Sequence, residues 1–128
     1  MMMSYDKTAV MGGKEIWREE TVRVDSGGYN LDMTGLKEGD VVEKGTPLIV
    51  DFDKRTAKVA KGADEAKTNR LLYASVKAEK NEPVTVVNAA DEVRDDLIPL
   101  SAEVVKALSA TGRFLFLKNP SSGASAGA

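Results

Sequence analysis

The sequence predicts a mainly β fold: a compact antiparallel β-sandwich or barrel-like domain with one short α-helix at about Ser101 to Ala110. Three observations lead there. Apolar and polar residues alternate with a period of two in short runs such as PLIVDF and PVTVVNA, each close to Gly, Pro, Asp or Asn. Only the stretch from Leu97 to Leu108 keeps its apolar residues at helical spacing. With 42% hydrophobic and 30% charged residues, 128 residues are enough for one domain with a core, and the composition is not that of a disordered chain.

The elements follow in order. Residues 1–13 show no period and end in Gly12-Gly13, which describes an arm. It is either a mobile end or a segment that orders against a partner, a role its Met residues and Tyr5 suit. Lys14 to Val24 is the first expected strand, with Ile16, Val22 and Val24 on one parity and Trp17, Thr21 and Arg23 on the other. Trp17 reads as a core residue or as an interface anchor. Asp25 to Gly28 is a turn, and Tyr29 to Met33 a short strand.

The stretch LKEGDVVEKGTPLIVDF, Leu36 to Phe52, reads as strand, turn, strand. Gly45 provides the position in the turn where φ can be positive, and Pro47 belongs at a strand start or an edge. Asp53-Lys54-Arg55 turns the chain into a return strand, Thr56 to Val59, which makes a hairpin. Lys61 to Arg70 is too polar for a core and reads as an exposed loop with at most one helical turn. Leu71 to Ala78 and Pro83 to Ala89 are strands at hairpin separation. Asp91 to Leu97 is mixed. Ser101 suits a helix N-cap, Glu103 the first turn and Gly112 the position after the helix. Burying Val104 and Leu108 would contribute roughly 1.5–3 kcal/mol each. Arg113 to Leu117 is a last strand, with Phe114 and Phe116 on one face. Residues 14–118 therefore form the domain, and Asn119 to Ala128, small and polar, a tail or linker.

Composition removes whole classes of chemistry. The chain has no Cys and no His, which excludes disulfides, thiol catalysis, histidine acid–base catalysis and most zinc or haem ligation. A metal site would need carboxylates alone. Asp51 with Asp53, and Asp95 with Asp96, are such pairs, but neither has further ligands spaced to complete a site, and a solvated turn is the simpler reading of the second. No metal and no cofactor are expected, and no enzyme activity. Eighteen basic and 20 acidic residues are interleaved at net charge −2, so no basic stripe points to nucleic acid. No apolar run reaches ~18 residues, and Met1 to Met3 is too short for a signal peptide. The expectations are no membrane partner and synthesis in the cytoplasm. A carboxylate-based enzyme or sugar-binding accessory domain stays open as a class, without a residue pair to carry it.

Two families have stretches like Leu36 to Phe52. Gly39-Asp40, Val42, Gly45 and Leu48 resemble the G-D-x-V-x-x-G-x-x-L stretch of biotinyl and lipoyl carrier domains, and Asp53-Lys54 resembles their attachment turn. That resemblance implies Lys54 as the modified residue. The second resemblance covers more of the chain, roughly Thr21 to Lys118, and is to the small head decoration and head-fibre proteins of tailed phages. It lies in the order of parts: G-D-V-x-x-x-G-T-P-L at Gly39 to Leu48, L-L-Y-A-S-V at Leu71 to Val76, P-V-T-V-V at Pro83 to Val87, Leu97-Ile98-Pro99, the Ser-Ala-Glu-Val-Val helix start and the final R-F-L-F-L. Asn88-Ala89-Ala90 stands where those proteins often carry a glycine, the mark of a bulge.

The phage resemblance implies a structural virion protein on the outer face of a capsid, with the major capsid protein as partner and a dimer or trimer as its own assembly. The candidate partner-binding residues are Met3, Tyr5, Val10 and Met11 in the arm together with Trp17, and the exposed loop Ala63 to Thr68 is a further candidate.

Overall fold

A computed structural model describes residues 15–98 and 100–117. The strands in chain order are β1 (Arg18–Val24), β2 (Tyr29–Asp32), β3 (Val41–Val42), β4 (Pro47–Asp51), β5 (Thr56–Val59), β6 (Arg70–Leu72), β7 (Val76–Lys77), β8 (Pro83–Val84), β9 (Val86–Val93) and β10 (Phe114–Phe116). A 3-10 helix, Gly62–Lys67, joins β5 to β6, and the α-helix α1 (Ala102–Ala110) precedes β10. The fold is mainly β, a curled open sheet forming half a barrel, with one short α-helix. The main sheet runs β10-β9-β6-β4-β5-β2-β8, and β1 pairs with β9 on its other side. β3 and β7 form a separate two-stranded ribbon. Most pairs are antiparallel, but β2–β5 and β9–β10 are parallel.

The sheet is buried on both faces where β6 and β9 cross its middle. Leu72 and Val86, which pair, enter one core with Leu31, Leu48 and Val50. Their neighbours Leu71 and Val87 enter a second core with Trp17, Val93, Phe114 and the helix residues Val104 and Leu108. Consecutive side chains in a strand point to opposite faces. A strand between two cores must therefore be apolar at successive positions, as Leu71-Leu72 and Val86-Val87 are.

The β4–β5 hairpin forms as expected, from Leu48↔Val59 to Asp51↔Thr56. Asp51 closes its turn by accepting from the N–H groups of Asp53 and Lys54. The helix is also where the sequence placed it. The Ser101 hydroxyl accepts from Val104 N–H at 3.2 Å, and Gly112 follows at φ 74°.

Several elements differ from the expectations. The first strand begins only at Arg18, and Ile16 and Trp17 are both buried while Val24 is 43% exposed. The register explains the lost alternation. Ala89↔Arg23 and Asp91↔Arg18 are two residues apart on β9 but five on β1, so β1 is bulged. Thr21 holds the bulge: its hydroxyl donates to Arg18 C=O and accepts from Asp91 N–H. The run Val41–Val42 does not pair with Pro47–Asp51 across the Gly45 turn but with Val76–Lys77. Leu71 to Ala78 is accordingly two strands, with a break at Tyr73-Ala74-Ser75 where Ser75 accepts from Lys44 N–H. Finally, Asp91 to Val93 continues β9. Although no glycine stands at Asn88 to Ala90, the register of β9 shifts on both sides of Ala89 against β1 and between Ala90 and Val93 against β10, with Glu92 at φ 54°.

Candidate partner interface

Two regions combine charged or exposed apolar side chains. The first closes one end of the half-barrel. Asp25, just after β1, accepts hydrogen bonds from Tyr29 Oη of β2, from Arg70 Nε of β6 (3.1 Å to each oxygen) and from Asn88 Nδ2 of β9 (2.7 Å). The Arg55 guanidinium lies 4.2 Å from the Tyr29 ring centroid and donates to the carbonyls of Ser26 and Gly28. Arg70 also lies against the ring of Phe52 at 5.1 Å. Burial pushes the Asp25 carboxyl up, but the bonds from Tyr29, Asn88 and Arg70 together outweigh it and hold the group below the usual carboxylate range. Burial, then the hydrogen bond to Asp25, raise Tyr29 above the usual phenol value. Both Asp25 oxygens are engaged by donors. The cluster is a brace that ties three strands to the turn after β1.

The second region is where the described chain begins and ends. Arg94 N–H donates to Ile16 C=O at 2.7 Å, and Leu117 N–H to Val93 C=O at 3.0 Å. The residues leading into both terminal segments thus flank the end of β9. A groove of about 110 Å3 lies there, lined by Glu15, Trp17, Arg18, Glu92, Arg94 and Leu117. Phe114 of β10 is buried, while Leu115 and Leu117, of opposite parity, are 60% and 56% exposed. Around them Arg18 is paired with Glu92 and Arg94 with Asp96, so the charges are balanced and the leucines form the apolar part.

No protein-family model matches the chain, and no curated protein or solved structure matches it either.

The residues singled out from sequence fall as follows. Met3, Tyr5, Val10 and Met11 lie outside the described residues. Trp17 borders the groove but is 2% exposed. Its ring is parallel to Tyr73 with centroids 6.4 Å apart, Lys44 Nζ is 5.3 Å from its centroid, and its Nε1 donates to Glu19, which also accepts from Tyr73 Oη. The indole is thus engaged by its own chain and shapes the groove from beneath. The loop around Ala63 to Thr68 is the 3-10 helix, held by Asp64 to Lys58 and Lys67, and buries only Thr68. Lys54 is exposed on the β4–β5 turn. Of the carboxylate pairs, Asp51 caps that turn and Asp96 chelates Arg94. Among the described residues no group of three acidic side chains could hold a metal ion.

The outward leucines were missed in the sequence reading, although a signal was present. In RFLFL both parities are apolar, and only one of them can face the core. The Asp25 cluster carried no such signal, because its members are 45 and 63 residues apart from Asp25 at Arg70 and Asn88.

Proposed function

We propose that the protein is a structural virion protein that binds the outer surface of a tailed-phage capsid as a decoration, cement or head-fibre-base subunit. The observation that carries the reading is the end of β9, where the lead-ins to both terminal segments meet beside exposed Leu115 and Leu117. An apolar patch with balanced charges at its rim is the composition of a protein-binding surface. Lead-ins to both ends of the chain at one patch let contacts made there and by the terminal segments share one docking point. The order of motifs from Gly39 to Leu117 supports the same reading. The partner is the major capsid protein. The protein's own assembly is a dimer or trimer, in keeping with the symmetry of a shell.

The test is co-sedimentation with phage heads assembled without their auxiliary proteins, together with the mass of the free protein in solution. Saturable binding in a fixed ratio to shell subunits is expected, reduced by deleting residues 1–13 and by Leu115→Asp/Leu117→Asp. A monomer that leaves heads bare would overturn the proposal.

A second reading, a biotinyl or lipoyl carrier, is favoured by one observation: Lys54 lies exposed on a hairpin turn whose backbone is fixed by Asp51. Co-expression with a lipoyl or biotinyl ligase distinguishes the two readings, since only a carrier gains mass on Lys54.

A further inference from the structure

The β4–β5 hairpin carries an arginine that its own backbone disfavours. Arg55, the last residue of the turn, has φ 57°, a region that glycine enters freely and an L side chain only at a cost. It is nonetheless fixed there from several sides. Its C=O accepts from Asn30 N–H at 2.9 Å, and its Nη2 donates to the carbonyls of Ser26 and Gly28 at 3.1 and 3.2 Å. The guanidinium rests on the Tyr29 ring. Gly27 leaves it room, since a Cβ there would stand 3.1 Å from Nη2. The charge held in this way is not neutralised by the fold. Arg18, Arg70 and Arg94 are each paired with a carboxylate, whereas exposed Arg55 has no ion pair among the described residues, and its Nε and Nη1 donate no hydrogen bond there.

Phe52 opens the same turn and is 53% exposed. A continuous row of contacts joins it to Arg55 through Arg70, Asp25 and Tyr29. A braced arginine and an outward aromatic ring thus share one end of the fold. This end lies at the start of β9, where Asp25 N–H donates to Val86 C=O, about 20 Å along the strand from Glu92 and the groove.

We infer that the β4–β5 turn is a second interaction surface, on which Arg55 binds a carboxylate side chain of a partner polypeptide and Phe52 packs against an apolar residue beside it. Backbone strain retained where glycine would fit is a mark of a residue kept for function. Three features choose the ligand. A positioned guanidinium with N–H donors to spare recognises an oxyanion through charge-assisted hydrogen bonds. Asp51 to Arg55 carry two positive and two negative charges, so no positive field draws a polyanion such as nucleic acid, and a single carboxylate is the better match. Exposed Phe52 suits a protein partner, whose apolar side chain can cover the ring. The inference goes beyond the proposed function, because it uses none of the groove residues.

The test is a titration of the full-length 15N-labelled protein with two short capped peptides, one carrying glutamate beside leucine and the other glutamine in its place. The glutamate peptide should shift the Arg55 Nε–H signal and the Gly27 and Phe52 amides saturably, and the glutamine peptide should bind about tenfold more weakly or worse. This comparison needs no variant. Arg55→Gly removes the charge and the backbone strain together, so the hairpin still forms, and it should weaken the glutamate peptide by a similar factor. An equal response to both peptides, shifts centred on Leu115 and Leu117, or full affinity in Arg55→Gly would overturn the inference. Tighter saturation of the same signals by inorganic phosphate would overturn the choice of a carboxylate. Failure to bind phage heads alters none of these readouts, so the two proposals fail separately.

Discussion

Asp25 receives hydrogen bonds from three side chains on three strands, and two pH limits follow from that arrangement. Its native carboxyl is held low, so its contribution is complete above about pH 4, the unfolded value, and is lost as pH falls through the lower native value. Tyr29 is held high, so its contribution is complete below about pH 10 and is lost as pH rises through the native value. Thermal midpoints measured from pH 2 to pH 7 should fall on the acid side, and Asp25→Asn should flatten that fall. At neutral pH Asp25→Ala should cost about 2–3 kcal/mol by urea denaturation, because it leaves Arg70 and Tyr29 partly buried without their acceptor. Gly45 offers a separate test. It sits at φ 91°, and a Cβ there would stand 2.9 Å from Ile16 Cδ1 and 3.0 Å from Ile98 Cγ2. Gly39 has a similar φ of 95° and open space around it. Gly39→Ala should therefore cost about 1–2 kcal/mol from backbone strain alone, and Gly45→Ala clearly more. The need for glycine at position 45 was legible in the turn sequence, but the second reason for it, two isoleucines from distant segments, was not.

Elements whose signals are local were read correctly. Helix α1 carries its own cap, periodicity and stop, so nothing outside Ser101 to Gly112 is needed to locate it. Ser101→Ala should cost about 1 kcal/mol and Leu108→Ala about 2–5 kcal/mol, both measurable by chemical denaturation. The β4–β5 hairpin is equally local, since its turn residues and paired strands are contiguous. The errors fall on strands whose partners are remote. Val41–Val42 and Pro47–Asp51 look like two arms of one hairpin, yet the first bonds Val76–Lys77. Alternation in β1 failed because a bulge is a property of a pair of strands, and its cause, Asp91, lies 70 residues from Thr21. The same limit hid the candidate interface. RFLFL was recognised as a strand, but its outward parity gained meaning only once Glu15 and Leu117 were found at one groove.

At the scale of the whole molecule, two cores share one sheet, and the shared strands should make them unfold together. Leu71 and Leu72 are adjacent in the chain and lie in different cores, as do Val86 and Val87. Neither core can be lost while β6 and β9 stay in place. Trp17 fluorescence, which reports the second core, and far-UV circular dichroism, which reports the sheet, should give coincident urea transitions; separate midpoints would mean that the cores are independent. The pairing of β1 with β9 has a further consequence during synthesis. Thr21 must wait for Asp91, 70 residues later, before its strand has a partner. At roughly 5–20 residues per second that interval is about 4–14 s. β1 then leaves the ribosome long before its place in the sheet exists. Its charged residues, Arg18, Glu19, Glu20 and Arg23, would keep the waiting segment soluble until the rest of the chain arrives.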